Sequence, residues 1–188
     1  CGRLFADVGA DVVAIDAAGD TPLAQHLNAE KTPVSAISSD ADLIVVEGAP
    51  GHLQQLGRDE KSLRELAPDT PLIFISPYGQ VGPDADKPAD DLTLFCASGI
   101  ARCLTGQVDD LSEAPIRPVG RQSAFIGGLA AACAGMHAAL KGGPITVDVS
   151  IQEALATLSM TELTRAGLGG AGWSRKRLTD GNGATVCI

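Results

Sequence analysis

Few residues of this chain are placed by spacing alone to do covalent or metal chemistry. The five cysteines, Cys1, Cys96, Cys103, Cys133 and Cys187, form no Cys-x-x-Cys pair, and their number is odd. Such thiols read as reduced, idle or buried side chains, which points to a cytoplasmic location. A zinc site needs clustered cysteine or histidine, and His26, His52 and His137 lie far from any such cluster, so no metal is predicted. Gly167, Gly169 and Gly172 match the spacing of a dinucleotide-binding loop. That loop works only after a strand and before a helix; here a helical stretch precedes it, so the glycines read as a helix stop. Arg175, Lys176 and Arg177 form a basic triplet, by default a solvated loop and otherwise a phosphate contact. The neighbours Asp90–Asp91 and Asp109–Asp110 point in different directions on a helix and make no catalytic dyad; Asp91 reads as the cap of the helix after it. Neither a P-loop nor a GxSxG elbow occurs.

The elements that must hold these residues alternate between short apolar runs and helical patterns, which predicts an α/β fold. Strands are expected at residues 11–16 (DVVAID), 43–47 (LIVVE), 72–76 (LIFIS) and 145–150 (ITVDVS). The second and third are nearly continuous apolar runs, as strands covered on both faces should be. Between them Leu63 and Leu66 recur at helical spacing, and Pro68 and Pro71 end that helix. The unit is strand–helix–strand, hence a parallel pair. Further helices are expected over residues 1–8, 91–104, 123–140 and 151–166, with proline- and glycine-rich loops at 77–90 and 105–120. Residues 123–140 carry no formal charge, yet alanine and glycine dominate them, so a buried helix packed through small residues is expected, not a membrane span.

Composition narrows the function classes. The 188 residues carry a net charge of −9, with 45% apolar and 3% aromatic residues. An acidic chain with few aromatics lacks both the phosphate neutralisation and the base stacking of a general nucleic-acid binder. A chain of this length buries about 70% of its unfolded surface, enough for a single core without staples. It opens on a helical stretch with no strand before it and closes on ATVCI, an unfinished apolar run, so a sheet incomplete at both ends is expected.

Five segments in order resemble the family III CoA-transferases (CaiB/BaiF type), the group of formyl-CoA transferase, carnitine CoA-transferase and 2-methylacyl-CoA racemase. They are LFADVGADVVAID (4–16), ADLIVVEGAPGHLQQLG (41–57), ISPYGQVGPDADKPADDL (75–92), ASGIARCLTG (97–106) and GLAAACAGMHAALKGGPITVDVSIQEAL (128–155). The resemblance implies a Rossmann-like domain over residues 1–166, its first strand missing, and a glycine-rich loop at 167–188 leading to a second domain. It also implies dimers with interlocked chains. CoA or acyl-CoA enters as substrate, with no permanently bound cofactor, and a carboxylic acid is the acceptor. In the family's chemistry an aspartate attacks the thioester carbonyl, giving an acyl–aspartate anhydride and then an aspartyl–CoA thioester.

Several residues depart from that pattern. The family aspartate precedes a glycine at the head of the alanine-rich helix, and its place falls at Ala124 or Phe125. Ser123 is the nearest oxygen nucleophile, with no histidine or carboxylate beside it in sequence. The racemase branch has a proton-transferring histidine where this chain has Asp90. CoA contacts carried over by resemblance are Lys31, Glu47, Gly48, Gln55 and Asp90, several changed from the family's usual types. Three functions follow: a transferase with another acyl-accepting group, a non-catalytic half whose tandem or heteromeric partner carries the aspartate, or an acyl-CoA-binding module.

Overall fold

The computed structural model of the protein describes residues 1–15, 19–101, 108–114 and 117–170. Two parallel sheets carry the fold. In the first, β1 (Val12–Ala14) pairs with β2 (Lys31–Pro33); in the second, β3 (Ile44–Glu47), β4 (Leu72–Ser76) and β5 (Thr146–Ser150) lie in that order. The helices are α1 (Gly2–Asp7), α2 (Pro22–Asn28), α3 (Pro50–Gln55), α4 (Glu60–Leu66), α5 (Asp91–Ala97), α6 (Gln122–Lys141), α7 (Ile151–Ala156) and α8 (Met160–Gly167). The architecture is α/β, parallel strands flanked by helices, as the alternating pattern predicts.

All five residues of β4 are buried, because it lies between two strands with helices on both of its faces. One face carries Leu72 and Phe74 against Ile44, Val46, Leu53 and Leu63; the other carries Ile73 and Ile75 against Leu94, Phe95, Val149 and Leu155. Full burial of each such side chain is worth about 1.5–3 kcal/mol, so the LIFIS run anchors both layers. At β3 the expected two-sided coverage fails. Its residues alternate between buried and exposed, with Val45 and Glu47 outward, because β3 is the edge strand of its sheet.

Other expected boundaries also shift. The first strand is the three residues of β1, and Asp16 lies outside the described residues. The helix starting at Asp91 breaks at Ser98 and Gly99, whose φ of 81° no L-residue adopts cheaply; residues 102–104 lie outside the described set. The segment 151–166 divides into α7, a 3₁₀ turn at Thr157–Ser159 and α8. The sequence pattern misses α2, β2 and α3. The first of these is short but well signalled: the Thr21 hydroxyl accepts from the Ala24 N–H at 3.1 Å and Pro22 opens the helix.

Helix α6 is apolar enough by composition to cross a membrane. Here it lies against β4, β5, α5 and α7. Its inward face is built from Ser123, Gly127, Ala131, Gly135 and Ala138, so the backbone comes close to the sheet. A Cβ added at Gly127 would sit 2.7 Å from Ile151 Cγ1. Gly127→Ala is therefore expected to destabilise the fold by about 1–3 kcal/mol in urea unfolding. Adding Ile151→Ala should cost less in that variant than in the parent; strictly additive costs would contradict the contact.

Candidate functional site

The first turn of α6 reaches the carboxyl end of β5, where Gly127 meets Ile151, the residue just after the strand. In parallel α/β sheets the ligand side is the carboxyl edge of the strands. Arg121 stands at the N-cap of α6 but supplies no side-chain cap. Asp91 does so instead, its Oδ1 accepting from the Ala124 N–H at 2.9 Å. The Ser123 hydroxyl donates to the Asp91 carbonyl at 2.6 Å and is fully buried. Ala124 is exposed, as is Phe125.

The cap expected of Asp91 is made by its neighbour. Asp90, not Asp91, caps α5, accepting from the Thr93 N–H at 2.7 Å. Asp91 begins α5 and turns its carboxylate across to α6, a long-range contact that periodicity cannot show. The Thr93 N–H, with a smaller contribution from Arg117, holds the exposed Asp90 carboxyl below the usual carboxylate range.

At the carboxyl end of β3 stand Glu47, exposed, and Gly48, whose N–H donates to the Ile75 carbonyl at 2.9 Å. Lys31 lies against Gly2, where an added Cβ would be 3.3 Å from its Nζ. Burial, and then the neighbouring Arg3 guanidinium, lower the Lys31 ammonium pKa. Gln55 is exposed on the last turn of α3. The basic triplet at 175–177, Gly172, Cys103 and Cys187 lie outside the described residues.

Residues that the motif reading missed are Gln80, Asp86 and Asp148. The Gln80 Nε2–H donates to the Gly48 carbonyl at 2.9 Å, and its backbone N–H donates to Asp148 Oδ2 at 2.7 Å. Asp86 Oδ1 accepts from the Gly51 N–H at 2.7 Å. The only signal in sequence was the density of glycine, proline and aspartate in that loop, which marks a turn without its partners.

These features define a Rossmann-like α/β domain whose described loops converge on the carboxyl edge of a parallel sheet. The sequence profile of CoA-transferase family III matches residues 29–185, and the chain belongs to that family. It is 28% identical to a CaiB/baiF CoA-transferase family protein of Caenorhabditis elegans, covering 85% of this chain and 51% of that protein. It is 27% identical to a subunit of succinyl-CoA:(R)-benzylsuccinate CoA-transferase of Thauera aromatica, covering 82% of this chain and 45% of the relative. A CaiB/BaiF family protein from Brucella suis superposes with a TM-score of 0.76 at 18% identity, over 93% of this chain and 55% of that one. The chain thus spans about half the length of the curated relatives it matches.

Asp91→Ala, which leaves the Ala124 N–H uncapped, is expected to cost about 0.5–2 kcal/mol in denaturant unfolding, and Asp91→Asn less. Asp90 contributes stability above its unfolded pKa and loses it as pH falls through the lowered folded value. Acid unfolding of Asp90→Asn should therefore show a shallower pH slope below about pH 4 than the parent.

Proposed function

We propose that the intact protein transfers CoA between an acyl-CoA thioester and a carboxylic acid, and that this chain supplies the CoA-holding scaffold while another carboxylate accepts the acyl group. The observation that carries this is the head of α6. Neither Ala124 nor Phe125, where the family's aspartate falls by resemblance, is a nucleophile, and the Ser123 hydroxyl is buried and spent on a peptide carbonyl. A buried serine bonded to a carbonyl has no base to take its proton during attack.

The cycle needs a carboxylate that attacks the thioester carbonyl and expels CoA thiolate, leaving a mixed anhydride. The thiolate then attacks the enzyme's own acyl carbon and releases the first carboxylic acid. The acceptor carboxylate repeats the exchange in reverse, and the enzyme carboxylate is regenerated. The partner holding that group is a second half of the protein or another subunit, an arrangement supported by the relative named as one subunit of its enzyme. The outer face of α6 supports a protein partner. Phe125, Leu129, Met136 and Leu140 form an exposed apolar stripe. An interlocked homodimer fits that stripe, and residues past 167 then lead toward the second domain.

Lys31 offers a cation to the phosphates of CoA, and an anion there would offset the burial and the Arg3 repulsion that lower its pKa. Glu47, Gly48 and Gln55 complete the β3–α3 contact region, with Asp90 nearer the α6 end. The free thiols Cys1, Cys96 and Cys133 suit a cytoplasmic setting.

A second reading has Asp91 itself as the acyl acceptor, since its carboxylate already meets the nucleophile position at 2.9 Å. The deciding experiment incubates the full-length protein with acyl-CoA and hydroxylamine and maps the hydroxamate by mass spectrometry. We expect the mark on an aspartate outside residues 1–170. A hydroxamate on Asp91, abolished by Asp91→Asn, would select the second reading. No hydroxamate and no exchange of CoA between acids would overturn both.

A further inference from the structure

The loop at residues 77–90 leaves the carboxyl end of β4 and ties back onto the β3–α3 turn at two points. Gln80 Nε2–H donates to the Gly48 carbonyl, and Asp86 accepts from the Gly51 N–H. The loop is itself held from the far side of the sheet: Asp148 accepts the Gln80 N–H, and the Gln152 N–H donates to the Pro77 carbonyl at 3.1 Å. Ala85, next to the second tie, is buried.

The turn has been shaped around these ties. Gly48 has φ 155°, and an added Cβ there would lie 2.9 Å from Leu53 Cδ2, in the core. At Gly51 an added Cβ would lie 2.9 Å from Asp86 Oδ1. At Gly48 the core leaves no room for a Cβ, and at Gly51 a Cβ would push the Asp86 carboxylate off its bond. Short backbone segments of this kind have several accessible conformations unless something outside them selects one. Here the selection comes from two side chains contributed about 30 residues further along the chain. Both bonds end on main-chain atoms, so they set the direction of the peptide groups and not merely the position of a side chain.

We infer that Gln80 and Asp86 are positioning residues, which lock the Gly48–Gly51 peptides in the orientation that receives the CoA thioester. The inference rests on the reading of that turn as a CoA contact. Neither residue touches the reacting atoms. Their effect passes through the turn, and Asp148 and Gln152 make the geometry of the β3 edge depend on that of β5. Substrate affinity then answers to residues on the opposite edge of the sheet.

The test uses the full-length protein, with CoA titrated by calorimetry and amide hydrogen exchange followed across residues 48–53. In Asp86→Ala, exchange at these amides should rise and CoA affinity should fall about tenfold. Asp86→Asn, which keeps an acceptor oxygen, should restore most of both. Gln80→Ala should repeat the loss at the other tie, and serves if Asp86→Ala does not fold. Unchanged or tighter CoA binding in Asp86→Ala and Gln80→Ala, with the parent binding normally, would overturn the positioning role and leave the functional proposal standing. Equal loss in Asp86→Asn and Asp86→Ala would also overturn it, by showing that more than an acceptor is needed. Absence of CoA heat in the parent would remove the CoA reading of the turn and the inference with it.

Discussion

The close approach of α6 to the sheet governs the rest of the structure. A helix whose inner face is serine, glycine and alanine contributes little apolar area per residue, so its stability comes from backbone contact distance and not from large side chains. That closeness brings the head of α6 up to Ile151 at the carboxyl end of β5, within reach of the Asp91 carboxylate. A bulkier helix would stand off the sheet, and Asp91 would then face solvent.

The same closeness limits what the head of α6 can do. The small side chain that fits there, Ser123, is sealed from solvent, and the Asp91 carboxylate is already bonded to the Ala124 N–H. Charge at a helix N-terminus is stabilised, which favours a capping carboxylate. Around the β3–α3 turn Gln80, Asp86 and Asp148 form an ordered set of bonds that end on backbone groups.

Much of the fold was legible. β4 reads directly from LIFIS, since a strand enclosed on both faces needs no polar alternation, and β5 follows from ITVDVS. The helix at Glu60–Leu66 follows from Leu63 with its terminating prolines. Short elements escaped. β2 has three residues, too few for a period to repeat, and α2 and α3 have seven and six. At the site, the capping of α5 by Asp90 and the reach of Asp91 to α6 were not legible. A cap three residues before its partner is local, whereas a cap 33 residues away depends on where two helices cross.

The sequence by itself determined the α/β class, the two-sided burial of β4 and the small-residue face of α6. These follow from side-chain size, polarity and local period, properties that each residue carries wherever it lies. Only the tertiary structure decided which carboxylate caps which helix, that Ser123 donates inward, and that Gln80 and Asp86 grip the β3–α3 turn. Hydrogen bonds act over about 3 Å, so such pairings exist only once the sheet and helices have brought distant segments to that range.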